Sequence, residues 1–303
     1  MSEVIKSQQF SHILHIEIFD TTLRGTEMCG LLEESARKSA IEIAETNASH
    51  PDISIVIRTR NDSSRIEGLF EDIHNQAFRG GVQIVLADTE SSDGTVATAR
   101  ALGRNIGHEI TVVPINQQNF SYPTGLNQAF TGVEHPYILS LVGHERLSNT
   151  RTLDAAIRGC RSVNFGGAYG LALPNVNSTR SEQLGAIMLG IPKALKEPKR
   201  MTKPEVGALA SDRAVISRDA WRELGGYDVA YGAGGEDGDL ARRMLAAGIE
   251  IVRDPVLTTH HTHGLGPVRS LVQLVEWYLI SRPREFRPQI HRFIRPEQYN
   301  PEH

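Results

Sequence analysis

The chain has 303 residues, 40% of them hydrophobic and 22% charged, so it is long enough to bury a full core without disulfides or structural metals. Its 32 basic and 36 acidic side chains give a net charge of −4. This balance excludes a bulk electrostatic nucleic-acid binder, because such proteins carry a basic excess. No apolar run approaches the ~20 residues of a membrane-spanning helix.

The cysteines and the first residues indicate a cellular compartment. Cys29 and Cys160 show neither metal-type spacing nor a disulfide framework, so we expect two ordinary thiols in a reducing compartment. The first residues lack the charged and apolar regions of a secretory signal. Together these features predict a cytoplasmic protein.

Charge divides the chain into unequal parts. Residues 1–50 contain eight acidic and four basic side chains and so account for the whole net charge of −4. Pro51 disfavours helix at the residue before it, which places a boundary near residue 50. We therefore expect an acidic N-terminal extension at 1–50, with a weak strand at 13–19 and a helix at 31–44.

After Pro51, short β-branched runs alternate with amphipathic segments. The pattern predicts strands at 53–57, 82–87, 110–113 and 137–142, and helices at 64–77, 95–106 and 122–133. This alternation is typical of a three-layer α/β sandwich with a mainly parallel sheet. Ligands of such sheets bind outside the carboxyl ends of the strands, so the residues that follow each strand are the first site candidates.

The later part of the chain is less regular. Glycines, prolines and a basic cluster interrupt residues 160–235, where we predict a strand at 168–173 and a helix at 219–224. A further helix is predicted at 237–247. The segment 268–280 has a broad apolar face typical of an amphipathic helix, and several arginines follow it.

Polar loops follow the first two predicted strands. RTRND occupies 58–62 and DTESSDGT occupies 88–95. A carboxylate at a strand end can accept hydrogen bonds from a base or a ribose, whereas Ser92 or Asp93 can cap the next helix. A nucleotide-contacting loop and a capped turn are both compatible with this pattern.

A second cluster combines glycines with carboxylates. GGYD at 225–228 and the glycines of 232–235 precede EDGDLARRM at 236–244. Glycines let the backbone approach a ligand closely, and the helix dipole favours carboxylates in a first turn. A carboxylate beside a glycine loop is also suited to act as a general base.

The order of RTRND, DTESSDGT, FSYPTGLNQAF, YILSLVGHERLS, GGYD and EDGDLARRM resembles that of the family 2 glycosyltransferases, over roughly residues 52–265. The resemblance implies the GT-A fold, a three-layer α/β/α sandwich with a mostly parallel central sheet. The catalytic domain would occupy 51–265, between the N-terminal extension and a C-terminal helical tail at 266–303.

The resemblance also implies roles for single residues. Asp237 matches the general base of the family, with Glu236 beside it. Trp221 and Gly235 lie on the acceptor side, although a buried tryptophan is an equal interpretation of Trp221. Asp93 is better suited to a structural cap than to ligand contact. The residues matched to the nucleotide-sugar donor are Thr59 and Asp88, for base and ribose, with Arg60, Asp62, Asp93, Asn127 and Gly143 as further candidates.

The motif after the fourth strand departs from the family pattern. The family's Asp-x-Asp element binds a divalent cation and the diphosphate, and here Gly143-His144-Glu145 replaces it. This Gly-His variant looks like one found in some family members, and Glu145 could supply an oxygen ligand. His263, with His261 second, resembles the late metal ligand of GT-A enzymes. We expect a divalent cation at these residues, either Mn²⁺, which imidazole can bind, or Mg²⁺, which prefers oxygen ligands.

The implied reaction is inverting transfer of a hexose from a nucleotide-diphosphate sugar to an acceptor hydroxyl. Asp237 would take the hydroxyl proton, while the cation, or His and Arg side chains, would neutralise the leaving diphosphate. The expected acceptor is a saccharide or a lipid-linked saccharide, as in polysaccharide biosynthesis. The tail at 266–303 would pack on the catalytic domain, form a homodimer, or attach peripherally to the inner face of a membrane.

A lyase is a competing hypothesis. FDTTLRG at 19–25 looks like the start of the isopropylmalate-synthase-type aldolase barrels, which use an H-x-H metal pair. Asp20, His261 and His263 would then hold the metal. Such a barrel needs eight βα units, and the middle of this chain lacks that periodicity.

A catalytically degenerate carbohydrate-binding or scaffold module is a third hypothesis. The replacement at His144 favours it, and the retained Glu236-Asp237 pair argues against it.

Overall fold

The computed structural model describes residues 51–175, 178–188, 197–203, 205, 207–231, 234–261, 266, 268–269 and 272. The strand and the helix expected within 1–50, together with Asp20, therefore lie outside the described residues. So do His263 and most of the helix expected at 268–280.

The first half of the described chain alternates strands with helices, as predicted. The strands are β1 (Ile53–Thr59), β2 (Val82–Asp88), β3 (Ile110–Pro114) and β4 (Tyr137–Val142), and the helices are α1 (Ile66–His74), α2 (Thr95–Asn105) and α3 (Tyr122–Ala129). A short 3-10 turn, Phe130–Gly132, completes the region where a longer third helix was expected. Ser121 caps α3 by accepting a hydrogen bond from the Thr124 N–H.

The second half contains shorter elements. In chain order they are β5 (Arg146–Leu147), α4 (Thr152–Arg158), β6 (Phe165–Tyr169), β7 (Ala172–Leu173), α5 (Arg180–Met188), β8 (Lys199–Arg200), β9 (Ala214–Ser217), α6 (Arg218–Glu223), α7 (Glu236–Ala246), β10 (Glu250–Arg253) and β11 (Thr259–His260). Only the helices at 219–224 and 237–247 had been predicted here with nearly these bounds.

The central sheet has eight strands in the order β3-β2-β1-β4-β9-β6-β10-β8, and a small second sheet has the order β5-β11-β7. Strands β1 to β4 are parallel to one another, and β6 is parallel to β10. Strand β9 is antiparallel to both β4 and β6. The expected mostly parallel sheet is confirmed, with β9 reversed in its middle and β8 reversed at one edge.

The single strand expected at 168–173 is instead two strands in different sheets. Strand β6 pairs with β9 in the central sheet, and β7 pairs with β11 in the small one. The chain changes sheets at Gly170, whose N–H donates to the Arg213 carbonyl. A Cβ at this position would lie 2.0 Å from the Leu257 carbonyl oxygen, so glycine permits this close passage of two backbones.

Alternate residues of β1 enter two different cores. Ile55 and Ile57 join the cluster that contains Leu69 of α1, whereas Val56 joins the cluster that contains Leu126 of α3 and Leu240 of α7. Side chains alternate between the faces of a strand, so both faces of the sheet are covered. The described residues thus form the expected three layers.

This open sheet contradicts the lyase hypothesis. Strands β3 and β8 are its two edges, whereas an aldolase barrel closes eight parallel strands on themselves. Among the described helices, none combines the length and apolar character needed to cross a membrane.

The close passage at Gly170 leads to a stability prediction. Gly170→Ala should lower the free energy of unfolding by ~1–3 kcal/mol, because the new methyl group meets a backbone carbonyl that cannot rotate away. Gly238→Ala is the matched control: Gly238 lies in α7 with open space around its Cβ position, and alanine favours helix. Urea unfolding would measure both, and equal stability of Gly170→Ala and the wild type would contradict the proposed contact.

Candidate active site

The loops after β1 and β2 are joined by buried hydrogen bonds. The Thr59 hydroxyl donates to Asp88 Oδ1 at 2.9 Å. The same carboxylate accepts from the Ser91 hydroxyl at 2.6 Å and from the Ser91 N–H at 2.9 Å. Thr59 and Asp88, the residues matched to base and ribose, therefore form one rigid unit at the carboxyl end of the sheet.

Asp93 ties the second of these loops to the first. Its carboxylate accepts from the Thr95 hydroxyl and N–H at the start of α2, and from the Ser63 N–H. Although desolvation acts in the opposite direction, these hydrogen bonds keep the pKa of Asp93 below its usual range. The structural-cap interpretation of this residue accounts for these contacts.

Gly143 lets the end of β4 approach the loop after β1. Its N–H donates to the Arg58 carbonyl at 2.9 Å. A Cβ would lie 2.8 Å from Thr59 Cγ2 and 3.0 Å from Asp62 Oδ2. The next residue, His144, places its Nδ1 3.1 Å from Asp62 Oδ1.

Two histidines from distant parts of the sequence face each other. The Nε2 atoms of His144 and His261 lie 3.1 Å apart, with ring centroids at 5.0 Å. His261 Nδ1 lies 3.1 Å from Asp212 Oδ2 and 3.5 Å from Glu145 Oε1. Burial lowers the pKa of His261 despite its hydrogen bond to Asp212.

Glu145 is completely buried at the same place. Its Oε2 accepts from the Val142 N–H at 3.0 Å, and its Oε1 accepts from the Thr259 hydroxyl at 3.1 Å. Burial, reinforced by the negative charge of Asp212, raises the pKa of Glu145 well above its usual range. The fold therefore gathers His144, Glu145 and His261 from the predicted metal set.

Asp212 is the member of the site that sequence analysis missed. Its carboxylate pairs with the guanidinium of Arg213 and contacts His261. Burial opposes ionisation, but the positive charge of Arg213, helped by His261 and Arg58, keeps the pKa of Asp212 below its usual range. The available signal was a pair of opposite charges directly before the β-branched run of β9 (Ala214–Ser217).

Asp212 escaped notice because of strand direction. In a parallel sheet, ligands bind beside the residues that follow each strand, so the sequence pattern points to those residues. Strand β9 runs the other way, so the residues before it lie at that edge. The Ser140 hydroxyl of β4 donates to the Ser211 carbonyl across this junction.

Asp237 and Glu236 open α7, as the sequence predicted. Gly235 precedes them with a φ of 91°, a left-handed conformation that glycine adopts without strain. Asp237 is half-buried and accepts from the Gly238 N–H at 2.7 Å. Burial raises the pKa of Asp237, and the negative charge of Asp212 adds to this effect.

Asn127 and Trp221 support the GGYD loop. Asn127 donates to the Tyr227 carbonyl and accepts from the Tyr227 N–H, so both ends of its amide are engaged. Trp221 packs against Phe130, with ring centroids 5.3 Å apart. Donor contact by Asn127 and acceptor stacking by Trp221 stay predictions, and the observed contacts are with Tyr227 and Phe130, respectively.

The family assignment follows from the sequence over this same region. The model of glycosyl transferase family 2 matches residues 54–224, more than half of the chain. The chain belongs to glycosyl transferase family 2. This confirms the family that the motif order suggested, whose members transfer a sugar from a nucleotide-sugar donor. The curated proteins contain no match to the chain.

Solved structures share the fold of this family 2 chain. A mannosyltransferase from Pyrobaculum calidifontis, in complex with GDP-Man and Mn²⁺, has a TM-score of 0.59 and 16% identity over 80% of this chain and 69% of its own. Residues 1–349 of S. aureus TarS, in complex with UDP, have a TM-score of 0.52 and 15% sequence identity, and the match covers 76% of this chain and 65% of theirs. GalNAc-T7 with UDP, GalNAc and Mn²⁺ has a TM-score of 0.56 and 17% sequence identity, and the match covers 76% of this chain and 48% of its own. The GT-A fold is confirmed, and this chain spans less than two thirds of TarS and about half of GalNAc-T7.

Proposed function

We propose that this family 2 enzyme transfers a hexose, with inversion, from a nucleotide-diphosphate sugar to an acceptor hydroxyl, and that Asp237 is the general base. The observation that carries the proposal is the setting of this carboxylate. It is half-buried at the start of α7, behind a glycine turn, and its pKa is raised by burial. A carboxylate with a raised pKa accepts a proton from a hydroxyl more readily than an exposed aspartate does.

We propose that the donor binds at the carboxyl ends of β1 and β2. The Thr59–Asp88 hydrogen bond fixes the start of the loop that contains Arg60 and Asp62. Gly143, which follows β4, packs closely against Thr59 and Asp62. Structures of two proteins with this fold contain GDP-Man and UDP, respectively. Those ligands support a nucleotide-diphosphate sugar as the donor class here.

A divalent cation fits the paired histidines. His144 Nε2 and His261 Nε2 lie 3.1 Å apart, and two ligands of one ion at right angles, with bonds of ~2.1 Å, lie ~3.0 Å apart. Two imidazole nitrogens favour Mn²⁺ over Mg²⁺, and two of the solved structures contain Mn²⁺. When bound, the cation would neutralise charge on the leaving diphosphate. Glu145 would support the site without binding the cation directly, because both of its carboxylate oxygens already accept hydrogen bonds.

We propose that the acceptor binds on the α7 side of the site. Gly235, in its left-handed conformation, directly precedes the Glu236-Asp237 pair, so an acceptor near Asp237 would also lie near this turn. We propose a saccharide or lipid-linked saccharide acceptor. Membrane attachment or dimerisation through 266–303 stays a prediction, because that tail lies almost entirely outside the described residues.

Asp237→Asn should reduce the transfer rate by ~10²–10⁴-fold, because an amide cannot take the hydroxyl proton. Release of nucleoside diphosphate from a panel of sugar nucleotides and acceptors would measure it. Asp219→Asn is the matched control, since Asp219 is exposed in α6 beyond the opposite end of β9. Equal rates for Asp237→Asn and wild type would show that Asp237 is not the general base and would favour the degenerate binding module.

The raised pKa of Asp237 also predicts the acid limb of the pH profile. Burial stabilises the protonated form, so the base is lost as pH falls through a value above the ~3.9 of an ordinary aspartate. We expect kcat/KM to decline on the acid side at a correspondingly higher pH. A limb at or below the ordinary aspartate pKa would contradict the assignment.

Donor and cation should stabilise the protein together. In a thermal-shift panel of sugar nucleotides with Mn²⁺, Mg²⁺ or a chelator, we expect the largest rise in Tm for the correct donor with Mn²⁺. A ligand at 100 times its Kd adds ~2.7 kcal/mol to the free energy of unfolding. The same rise in all three conditions would show that donor binding does not depend on a cation.

A further inference from the structure

We propose that Asp62 and Asp212 are paired positioning residues: each fixes the Nδ1 side of one histidine, so that both Nε2 atoms point at a single cation. The inference rests on the cation site of the proposed function and adds two residues to it. Asp62 had been expected only to approach the nucleotide, and Asp212 had no expected role.

The hydrogen-bond chemistry sets the direction of both rings. Ionised carboxylates only accept hydrogen bonds, so Asp62 Oδ1, 3.1 Å from His144 Nδ1, requires a proton on that nitrogen. Asp212 Oδ2, 3.1 Å from His261 Nδ1, requires the same of the second ring. In a neutral imidazole with its proton on Nδ1, Nε2 carries the lone pair that can bind a metal.

The two Nε2 atoms face each other at a distance of 3.1 Å. This distance suits a proton held between the two nitrogens as well as a single cation bound to both, so a cation would take the place of that proton. Carboxylates that accept from the far nitrogen of a ligating histidine fix its orientation and raise its basicity. The arrangement of His144 and His261 therefore has the form of a metal pair with its supporting groups.

Each supporting carboxylate is itself held by an arginine. Arg65 lies 2.7 Å from Asp62 Oδ1, and the Arg60 N–H donates to Asp62 Oδ2 at 3.1 Å. Arg213 contacts both oxygens of Asp212. These contacts leave the carboxylates poorly placed to become direct ligands, because binding a cation would place it beside a guanidinium.

A direct-ligand arrangement is the competing geometry. Glu145, Asp212 and His261 have potential donor atoms within 4.8 Å of one another, on the Nδ1 side of His261. A cation there would displace the Nδ1–H hydrogen bond and leave His144 without a part in binding. The two geometries therefore predict different behaviour of His144 variants.

The test is Mn²⁺ affinity of the full chain, measured by the electron paramagnetic resonance signal of free Mn²⁺ and independent of turnover. We expect Asp212→Ala and Asp62→Ala to weaken binding by ~10–100-fold, and Asp212→Asn to weaken it less, since the amide oxygen still accepts from Nδ1–H. His144→Ala should weaken it at least as much as Asp212→Ala. Asp72→Asn is the matched control: Asp72 lies on α1 and pairs with Arg146, and this variant should bind Mn²⁺ with wild-type affinity.

A spectroscopic readout separates positioning from simple damage. Nitrogen modulation in the electron spin-echo spectrum of bound Mn²⁺ should report two imidazoles in both wild type and Asp212→Asn. Unchanged affinity in Asp212→Ala would overturn the inference. So would loss of binding in Asp212→Ala with wild-type binding in His144→Ala, which would assign the cation to the competing geometry.

The inference and the proposed function can fail separately. Sugar transfer that persists in chelator, by a chain that binds no Mn²⁺, would overturn the inference and leave the transferase standing. Tight Mn²⁺ binding that depends on Asp212, without any sugar-nucleotide binding or turnover, would overturn the proposed function alone.

Discussion

The reversal of β9 inside an otherwise parallel region is the constraint on which the site depends. Because β9 runs antiparallel to β4, the loop before it reaches the edge where β1, β2 and β4 end. The Ser140 hydroxyl and the Arg58 guanidinium both donate to the Ser211 carbonyl and tie this loop to the two neighbouring strands. Asp212 and Arg213 follow directly, and so enter a site that also contains His261, 49 positions further along the chain.

Charge alternation makes this crowded edge stable. Arg65, Asp62 and His144 form one series of contacts, and Arg213, Asp212 and His261 form another, and the two meet at the imidazoles. Unpaired buried carboxylates would be costly, and each arginine supplies the opposite charge, Arg213 from a mostly buried position and Arg65 from a half-exposed one. The Val142 N–H and the Thr259 hydroxyl, both neutral, donate to Glu145, whose pKa is raised by burial and by the negative charge of Asp212.

Several residues of the family motifs contribute to the scaffold around the site. Asp93 joins two loops, Asn127 fixes Tyr227, and Trp221 packs on Phe130. Each has a side chain that could also bind a ligand, so residue type alone could not separate the two roles. The separation required knowing which hydrogen-bonding groups are already engaged, and this information exists only once the chain is folded.

Local pattern determined much of this protein from sequence alone. The alternation of apolar runs and amphipathic segments placed β1 to β4 and their helices, since burial on a sheet face and helical periodicity are local properties. The strand-end rule directed attention to Asp88, the cluster of glycines and carboxylates to Asp237, and motif order indicated the family and, through it, His144. Tertiary structure alone decided the pairing of β9, the split of the 168–173 strand at Gly170, and the entry of Asp212 into the site. Each of these depends on which backbones pass close together, a contact between segments far apart in sequence that no local pattern encodes.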